Sequence, residues 1–272
     1  MKILVTGGTG LIGKHLQPIL DATYLSSKDG DLRNLPDTIN LFVKHQPEVV
    51  IHLAATVDGI KENTHRNYKF YLDNVLINTN VIDIAKRFNV KYIIAASSTC
   101  VYGEGRDLEP YYVDKLVPHF SNSGYAYAKR AMRHHLLVSQ IPYSLIYFGN
   151  LYGKGDRSNH CIPEIIRKIS IGDNNFYGTG NELRQFVYAK DAASIIRDTI
   201  ENYKYLETQE FNFCNTEISI KNVIDTVSRL MNKSINPIFN NQYCGVKEKQ
   251  ANGISYNYTP LKVGLAETIK EI

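Results

Sequence analysis

The chain has 272 residues, 43% hydrophobic and 21% charged, with only 9 prolines. These proportions exclude a disordered, collagen-like or disulfide-scaffold protein and leave an ordinary globular one of one or two domains. The 31 Lys and Arg exceed the 27 Asp and Glu by only four charges, too few and too dispersed to argue for a nucleic-acid or membrane-surface partner.

The opening run Ile3-Leu4-Val5 breaks at Thr6-Gly7-Gly8, so it is too short for a signal-peptide core and predicts a strand. Short β-branched or aliphatic runs at 2–6, 48–53, 90–96 and 143–147 alternate with helical patterns at about 10–20, 36–46, 67–88 and 124–140. This alternation predicts βαβ units and a parallel sheet, because parallel neighbours need a crossover element and buried strands form continuous apolar runs such as Val49-Val50-Ile51. Beyond about residue 150 the pattern loosens. Residues 186–203 again predict strand then helix, and 219–231 and 259–271 predict helices on an α+β lobe. No apolar run approaches the roughly 18 residues of a membrane span. Cys100, Cys161, Cys214 and Cys244 form no Cys-x-x-Cys pair, so a reduced, cytoplasmic protein is expected.

Gly7-Gly8-Thr9-Gly10-Leu11-Ile12-Gly13 follows the first strand directly and opens a helix. In that context spaced glycines let backbone N–H groups and a helix N-terminus meet a pyrophosphate; the bland alternative is a tight turn that needs positive φ. The second strand, near 22–26, ends in Tyr24-Leu25-Ser26-Ser27-Lys28, where an NAD-selective site would place an acid on the ribose 2′-hydroxyl. Ser and Lys suit a 2′-phosphate instead. NADPH is therefore the expected cofactor, with Lys28 and one serine as contacts, although Asp29 and Asp31 lie close and Lys28 could simply be solvated.

Tyr-x-x-x-Lys places both side chains on one helical face, where the ammonium lowers the phenol pKa from about 10 and the phenol can protonate a carbonyl that accepts hydride. Five such pairs occur, at Tyr24/Lys28, Tyr111/Lys115, Tyr125/Lys129, Tyr243/Lys247 and Tyr258/Lys262. Tyr125/Lys129 stands out because it opens a helical pattern and follows a strand ending in Ser97-Ser98-Thr99, at the carboxyl edge where open α/β sheets bind ligands. Ser98 there can hydrogen-bond the same carbonyl oxygen.

With His52-Leu53-Ala54-Ala55, the Asn74 to Asn80 stretch and Ser97-Ser98-Thr99-Cys100-Val101-Tyr102-Gly103, the chain resembles the extended short-chain dehydrogenase/reductase family of nucleotide-sugar enzymes over roughly residues 3–200. The resemblance implies a Rossmann-type doubly wound sheet carrying NADP over 1–150 plus about 186–203. It also implies a smaller α+β substrate lobe over 151–185 and 204–272. Ala96, Ser97 and Asn150 would join the glycine loop, Tyr125 and Lys129 at the cofactor, and the substrate would be a nucleoside-diphosphate sugar.

Two residues go beyond a generic reductase: Cys100, and His160 within Ser158-Asn159-His160-Cys161-Ile162-Pro163. A 4-keto sugar has acidic C–H bonds at C3 and C5, and inverting them needs one group to remove a proton and another to deliver one to the opposite face. Thiol and imidazole can both be poised near neutrality; the alternatives are a small apolar filler and a structural histidine. Val57-Asp58-Gly59-Ile60, Asn150-Leu151-Tyr152-Gly153 and Arg184-Gln185-Phe186-Val187 are similar to the branch of that family that performs NADPH-dependent 3,5-epimerisation and 4-reduction of GDP-linked 4-keto-6-deoxy sugars. On that resemblance Cys100 would be the base, His160 the acid and Tyr125 the proton donor to O4. Lys168, Tyr177, Arg184 and Lys249 would grip the GDP portion, their alternative being solvated surface.

Lys168 and Tyr177 stand where the family favours Arg and Trp, the loop from Gly153 to His160 is short, and Val246–Asn252 runs almost directly into Tyr258-Thr259-Pro260. Another decorated 4-keto sugar therefore stays open, as do a plain C4 reductase, a redox-neutral C4 epimerase and an NADPH sensor; an intact Ser98, Tyr125 and Lys129 argues against the last. Metal binding is not expected, since adjacent His134 and His135 point about 100° apart on a helix. Lys129, Arg130, Arg133 and His134 form a basic cluster on one helix, expected to be solvated or at a subunit contact rather than a nucleic-acid site, and the resemblance implies a homodimer through this helix and the one before it.

Overall fold

The computed structural model describes residues 1–156, 159–202 and 208–270. The chain runs β1 (Ile3–Thr6), α1 (Leu11–Leu16), β2 (Thr23–Tyr24), α2 (Leu35–His45), β3 (Val49–His52), α3 (Ile60–His65), α4 (Asn67–Arg87) and β4 (Tyr92–Ser98). It continues through β5 (Gly105–Leu108), α5 (Ser123–Ser139), β6 (Tyr143–Phe148), β7 (Asn150–Tyr152), α6 (Cys161–Ile171), β8 (Asn175–Phe176), β9 (Leu183–Tyr188) and α7 (Ala189–Glu201). β10 (Gln209–Phe213), β11 (Glu217–Ser219), α8 (Ile220–Leu230), β12 (Ile238–Phe239), β13 (Lys249–Ala251) and α9 (Leu261–Lys270) complete it.

Six parallel strands in the order β10-β6-β4-β3-β1-β2 form the central sheet. β1, β3 and β6 are buried along their whole length, which is why they show unbroken apolar runs rather than alternation. On one face Phe42 of α2, Val81 and Ile82 of α4 and Leu136 of α5 share a core with Leu4 and Val50. On the other, Ile12 and Leu16 of α1 meet Ala192 and Ile196 of α7 over Val5 and Ile51. The expected doubly wound sheet is thus present, with helices covering both sides.

α1 stops at Leu16 rather than near residue 20, because Pro18 has no N–H to continue the ladder. α2 begins where Asn34 accepts a bond from the Asp37 N–H at 3.1 Å, an N-cap reinforced by Pro36 in the first turn.

The smaller lobe has its own core, in which Ile162, Ile165, Ile166 and Ile169 of α6 pack against Val223, Ile224 and Val227 of α8 and Phe186 of β9. β9 pairs with β7 and β11 in a separate three-stranded sheet. The expected boundary needs one correction: β10 lies within the 204–272 span assigned to the lobe, yet it is the edge strand of the central sheet beside β6. The ends of the expected spans at 203 and 271 lie outside the described residues.

Strand order reverses at β1, whose neighbours β2 and β3 lie on opposite sides, and ligands bind at the carboxyl ends where such a reversal opens a crevice. Gly7 sits there at φ 70°, its missing Cβ leaving room for the Ala54 backbone, which a side chain would meet at 2.7 Å. Gly13 lets α1 press onto the same loop. Substituting Gly13→Ala would bring Cβ within 2.7 Å of the Gly7 carbonyl and still closer to that of Gly8, an overpacking worth about 1–3 kcal/mol. NADPH affinity should fall at least roughly tenfold, with a lower Tm; unchanged binding in a fluorescence titration would contradict this role of the loop.

Candidate active site

The loops at the carboxyl edge and the smaller lobe enclose a cavity of about 1070 Å³, large enough for more than one drug-sized ligand. Its floor is the glycine loop, through Gly7, Thr9, Gly10, Leu11, Ile12 and Gly13. Gly8 is not part of the lining: its N–H donates to the Leu25 carbonyl at 2.7 Å and its own carbonyl accepts from Gln17 Nε2 at 2.9 Å, so it spaces the loop from β2.

Beyond β2 the sequence expectation shifts by a few residues. Ser26, Ser27, Asp31 and Arg33 line the cavity while Lys28 does not, and the Ser26 hydroxyl and N–H both donate to the Asp29 carboxylate at 2.8 and 2.7 Å. A cation at this end is Arg33, bonded to Asp31 at 2.7 Å and to Asp73 at 3.3 Å, with Lys69 on the same Asp73 at 2.7 Å. Sequence reasoning missed Arg33 because two acids precede it. These residues fit a dinucleotide: the loop leaves a cradle that Cβ atoms would fill, and the cavity-lining Ser97 hydroxyl is buried with no hydrogen-bond partner among the described residues. Ala96 and Asn150 also face this region.

Ser98, Cys100, Tyr125, Lys129 and His160 line the same cavity. Lys129 is 1% exposed and donates to the Ala96 carbonyl at 2.8 Å, with Nζ 5.9 Å from the centre of the Tyr125 ring. Burial pushes the ammonium down to about 8. The expected depression of the Tyr125 phenol does not occur; burial first, and then Cys100 in its ionised form, push it up. The phenol therefore holds its proton at neutral pH, the state a proton donor requires.

Beneath this set runs a chain of hydrogen bonds that sequence reasoning missed. The Thr6 hydroxyl donates to His52 Nδ1 at 2.8 Å, His52 Nε2 donates to Asn78 Oδ1 at 3.0 Å, and Asn78 Nδ2 reaches the Ala128 carbonyl of α5 at 3.4 Å. Burial, with Lys129 nearby, pushes His52 down to about 3, so it stays neutral and ties β1 and β3 to the helix that carries Tyr125.

Three thiols line the cavity, Cys100, Cys161 and Cys244, and the first two behave oppositely. Burial pushes Cys161 up to about 12. Burial also opposes ionisation of Cys100, but the Lys249 and Arg184 cations and a hydrogen bond with Ser98 outweigh it and leave this thiol below its ordinary value. Lys249 Nζ lies 3.7 Å from Cys100 Sγ. His160 Nδ1 donates to Asp156 Oδ1 at 2.6 Å, so the side chain is oriented and Nε2 is the nitrogen left for a ligand. Asp156 was not foreseen, and a lone acid in a polar loop gives no distinguishing signal. Ser158 of the quoted motif lies outside the described residues.

Lys168, Tyr177, Arg184 and Lys249 all reach the cavity, but they are not equivalent. Lys168 is engaged by Asp173 at 3.1 Å and the Asn175 carbonyl at 2.5 Å and lies 5.6 Å from the Tyr177 ring. Tyr177 meets Tyr243 edge-on at 5.0 Å. Arg184 donates to the Leu183 carbonyl at 2.7 Å. Neither it nor Lys249 has a carboxylate within ion-pair distance among the described residues.

A glycine loop at a parallel-sheet switch point with Ser, Tyr and buried Lys beside it defines a nicotinamide-dependent short-chain oxidoreductase. Residues 3–214 match the NAD dependent epimerase/dehydratase family, and the chain belongs to it. It is 34% identical over 239 residues to a probable GDP-L-fucose synthase of Drosophila melanogaster, covering 76% of this chain and 74% of that one. It is 33% identical over 256 residues to a GDP-L-fucose synthase of Dictyostelium discoideum, covering 84% and 79%. The crystal structure of a GDP-L-fucose synthetase from Naegleria fowleri bound to NADP superposes with a TM-score of 0.84 at 30% identity, covering 99% of this chain and 91% of that one.

A buried ammonium displaced to about 8 costs the folded protein roughly 3 kcal/mol, only partly offset by the Ala96 bond at about 1 kcal/mol. A lowered basic pKa makes this cost complete below about 8 and relieves it as pH rises toward the ordinary lysine range. Lys129→Met should accordingly stabilise the ligand-free protein at pH 7 by about 2 kcal/mol, with the gap closing by pH 10. Urea unfolding at both pH values measures this, and a less stable variant at pH 7 would contradict it.

Proposed function

We propose that the protein is an NADPH-dependent epimerase-reductase that inverts C3 and C5 and reduces C4 of a GDP-linked 4-keto-6-deoxy sugar, giving GDP-L-fucose or a close analogue. One observation carries the reading: a proton-transfer pair, Cys100 and His160, lines the same cavity as the reductase set Ser98, Tyr125 and Lys129. A plain reductase needs only the second group. The names of the relatives at 33–34% identity support the same substrate class.

Cys100, as thiolate, removes the proton beside the C4 ketone; the C–H electron pair passes into the enolate as an S–H bond forms. His160, held by Asp156, delivers a proton to the opposite face of the same carbon. Exchange with solvent returns the thiol proton and recharges the imidazole before the second inversion. Bound along the glycine loop, NADPH would supply the hydride that reduces C4. Tyr125 then gives its proton to O4, Ser98 steadies that oxygen by hydrogen bonding, and Lys129 stands by as the adjacent cation. Arg184, without a carboxylate partner, suits a diphosphate oxygen, and Tyr177 offers an aromatic face for the base.

A homodimer and a cytoplasmic setting belong to this proposal. Exposed Tyr68, Tyr71, Leu72, Tyr127 and Leu137 on α4 and α5 support the first, and four free cysteines the second. No helix among the described residues is long and apolar enough to cross a membrane.

Incubation with GDP-4-keto-6-deoxymannose and NADPH in D₂O should consume NADPH and place deuterium at C3 and C5. Cys100→Ser and His160→Asn should each slow incorporation by about 10²–10⁴-fold while still reducing a pre-epimerised ketone. A C4-reduced product without deuterium would make the protein a plain reductase, and turnover without net NADPH use a C4 epimerase.

A further inference from the structure

Lys249 belongs to β13, and several independent contacts fix that strand. It pairs with β5 through Lys249 opposite Gly105, and the Gly105 N–H donates to the Glu248 carbonyl at 3.2 Å. Two residues on, the Ala251 N–H donates to Gln185 Oε1 at 2.8 Å while Gln185 Nε2 donates to the Ala251 carbonyl at 2.9 Å. Asn212 Nδ2 bonds the Asn252 carbonyl at 3.1 Å. A backbone stitched on both sides carries a lysine that is 7% exposed and brings its ammonium to a point 3.7 Å from Cys100 Sγ.

A surface lysine gripping a diphosphate has no reason to face a thiol. This one is buried, without a carboxylate partner among the described residues, and its ammonium donates to the Cys100 sulfur. We propose that Lys249 is the positioning residue of Cys100: its ammonium, held against Sγ by β13, keeps the sulfur as thiolate and so makes it a base before substrate arrives. The inference rests on the epimerase reading for what that base does, but the thiolate itself can be measured without any substrate.

The other groups facing the sulfur agree. Arg184 on β9 adds a second positive charge, and the Ser98 side chain accepts from the Cys100 N–H at 3.2 Å. His119 is held below its ordinary value by burial with Arg184 and Lys249 close by, while Glu104 acts on His119 and Arg184 from the rim. Cys161, in the same cavity but without such a cation in contact, goes the other way. Burial alone therefore does not explain the state of Cys100.

Iodoacetamide alkylation of the ligand-free protein, read at each cysteine by peptide mass spectrometry between pH 5 and 10, tests this. Cys100 should titrate below an ordinary cysteine at about 8.5, and Cys161 should resist throughout. Lys249→Met should raise the Cys100 midpoint by at least about one pH unit, a roughly tenfold slower reaction at pH 7, and Lys249→Arg should restore it. The pH profile of deuterium incorporation should move to alkaline pH in step. An unshifted midpoint in Lys249→Met with unchanged Tm would overturn the assignment and leave the lysine a substrate contact only. Should that variant fail to fold, the wild-type protein still decides: a Cys100 midpoint at or above that of the urea-unfolded chain overturns it. A low midpoint without carbon exchange would instead sink the epimerase reading and leave the thiolate standing.

Discussion

The close approach of two backbones at the switch point of the sheet governs the rest of the molecule. β1 is flanked by β2 on one side and β3 on the other, so the chain leaving β1 and the chain leaving β3 must pass each other at the carboxyl edge. They do so with Gly7 against Ala54. That contact sets the cavity floor; β4 then ends in Ser97-Ser98 at one wall, and α5, tied to β3 through His52 and Asn78, sets Tyr125 and Lys129 against it. A side chain at Gly7 would separate the two loops and loosen every distance above them.

The second organising feature is electrostatic. Lys129, Lys249 and Arg184 reach the cavity with no carboxylate partner among the described residues, whereas Lys168, a few ångströms from Tyr177, is neutralised by Asp173. Unpaired cations out of water are costly, and burial lowers two of the three directly. Anionic ligands offset such a cost: the diphosphates of a dinucleotide and of a nucleotide sugar would bring the missing charge. The same field separates Cys100 from Cys161, since an ammonium in contact with a sulfur is worth most in a poorly solvated site, whereas at Cys161 the Asp156 and Glu182 charges oppose that of Arg184.

Much of the sheet was legible because buried parallel strands have no polar face to obscure them, and the glycine loop because only Gly tolerates those contacts. Tyr125 was separable from four other Tyr-x-x-x-Lys pairs by its place after β4. The rest depended on long-range partners. Lys249 looked like a diphosphate contact because the β13–β5 pairing brings it to Cys100, a residue 149 positions away in the chain. α6 went unnoticed behind the polar loop before it, although Ile162, Ile165, Ile166 and Ile169 repeat with helical spacing. The fate of the Tyr125 phenol was misjudged because a spacing rule counts the neighbouring lysine but not the desolvation around both groups.

The proposed acid and base come from different halves of the molecule, and that division bears on stereochemistry. Cys100 follows β4 of the central sheet, while His160 stands at the N-terminus of α6 in the smaller lobe, so a ring lying between the halves meets them from different sides. Their separation is then set by whatever ties the lobes together near His160. Asn159, its neighbour, bonds the Asp58 carboxylate beyond β3, and the missing side chain of Gly59 leaves room for the Asn159 carbonyl. The imidazole is thereby anchored to the sheet one residue away and oriented by Asp156 from four residues back. Loss of the Asp58 tether would act on proton delivery through distance alone, without touching the chemistry of either group.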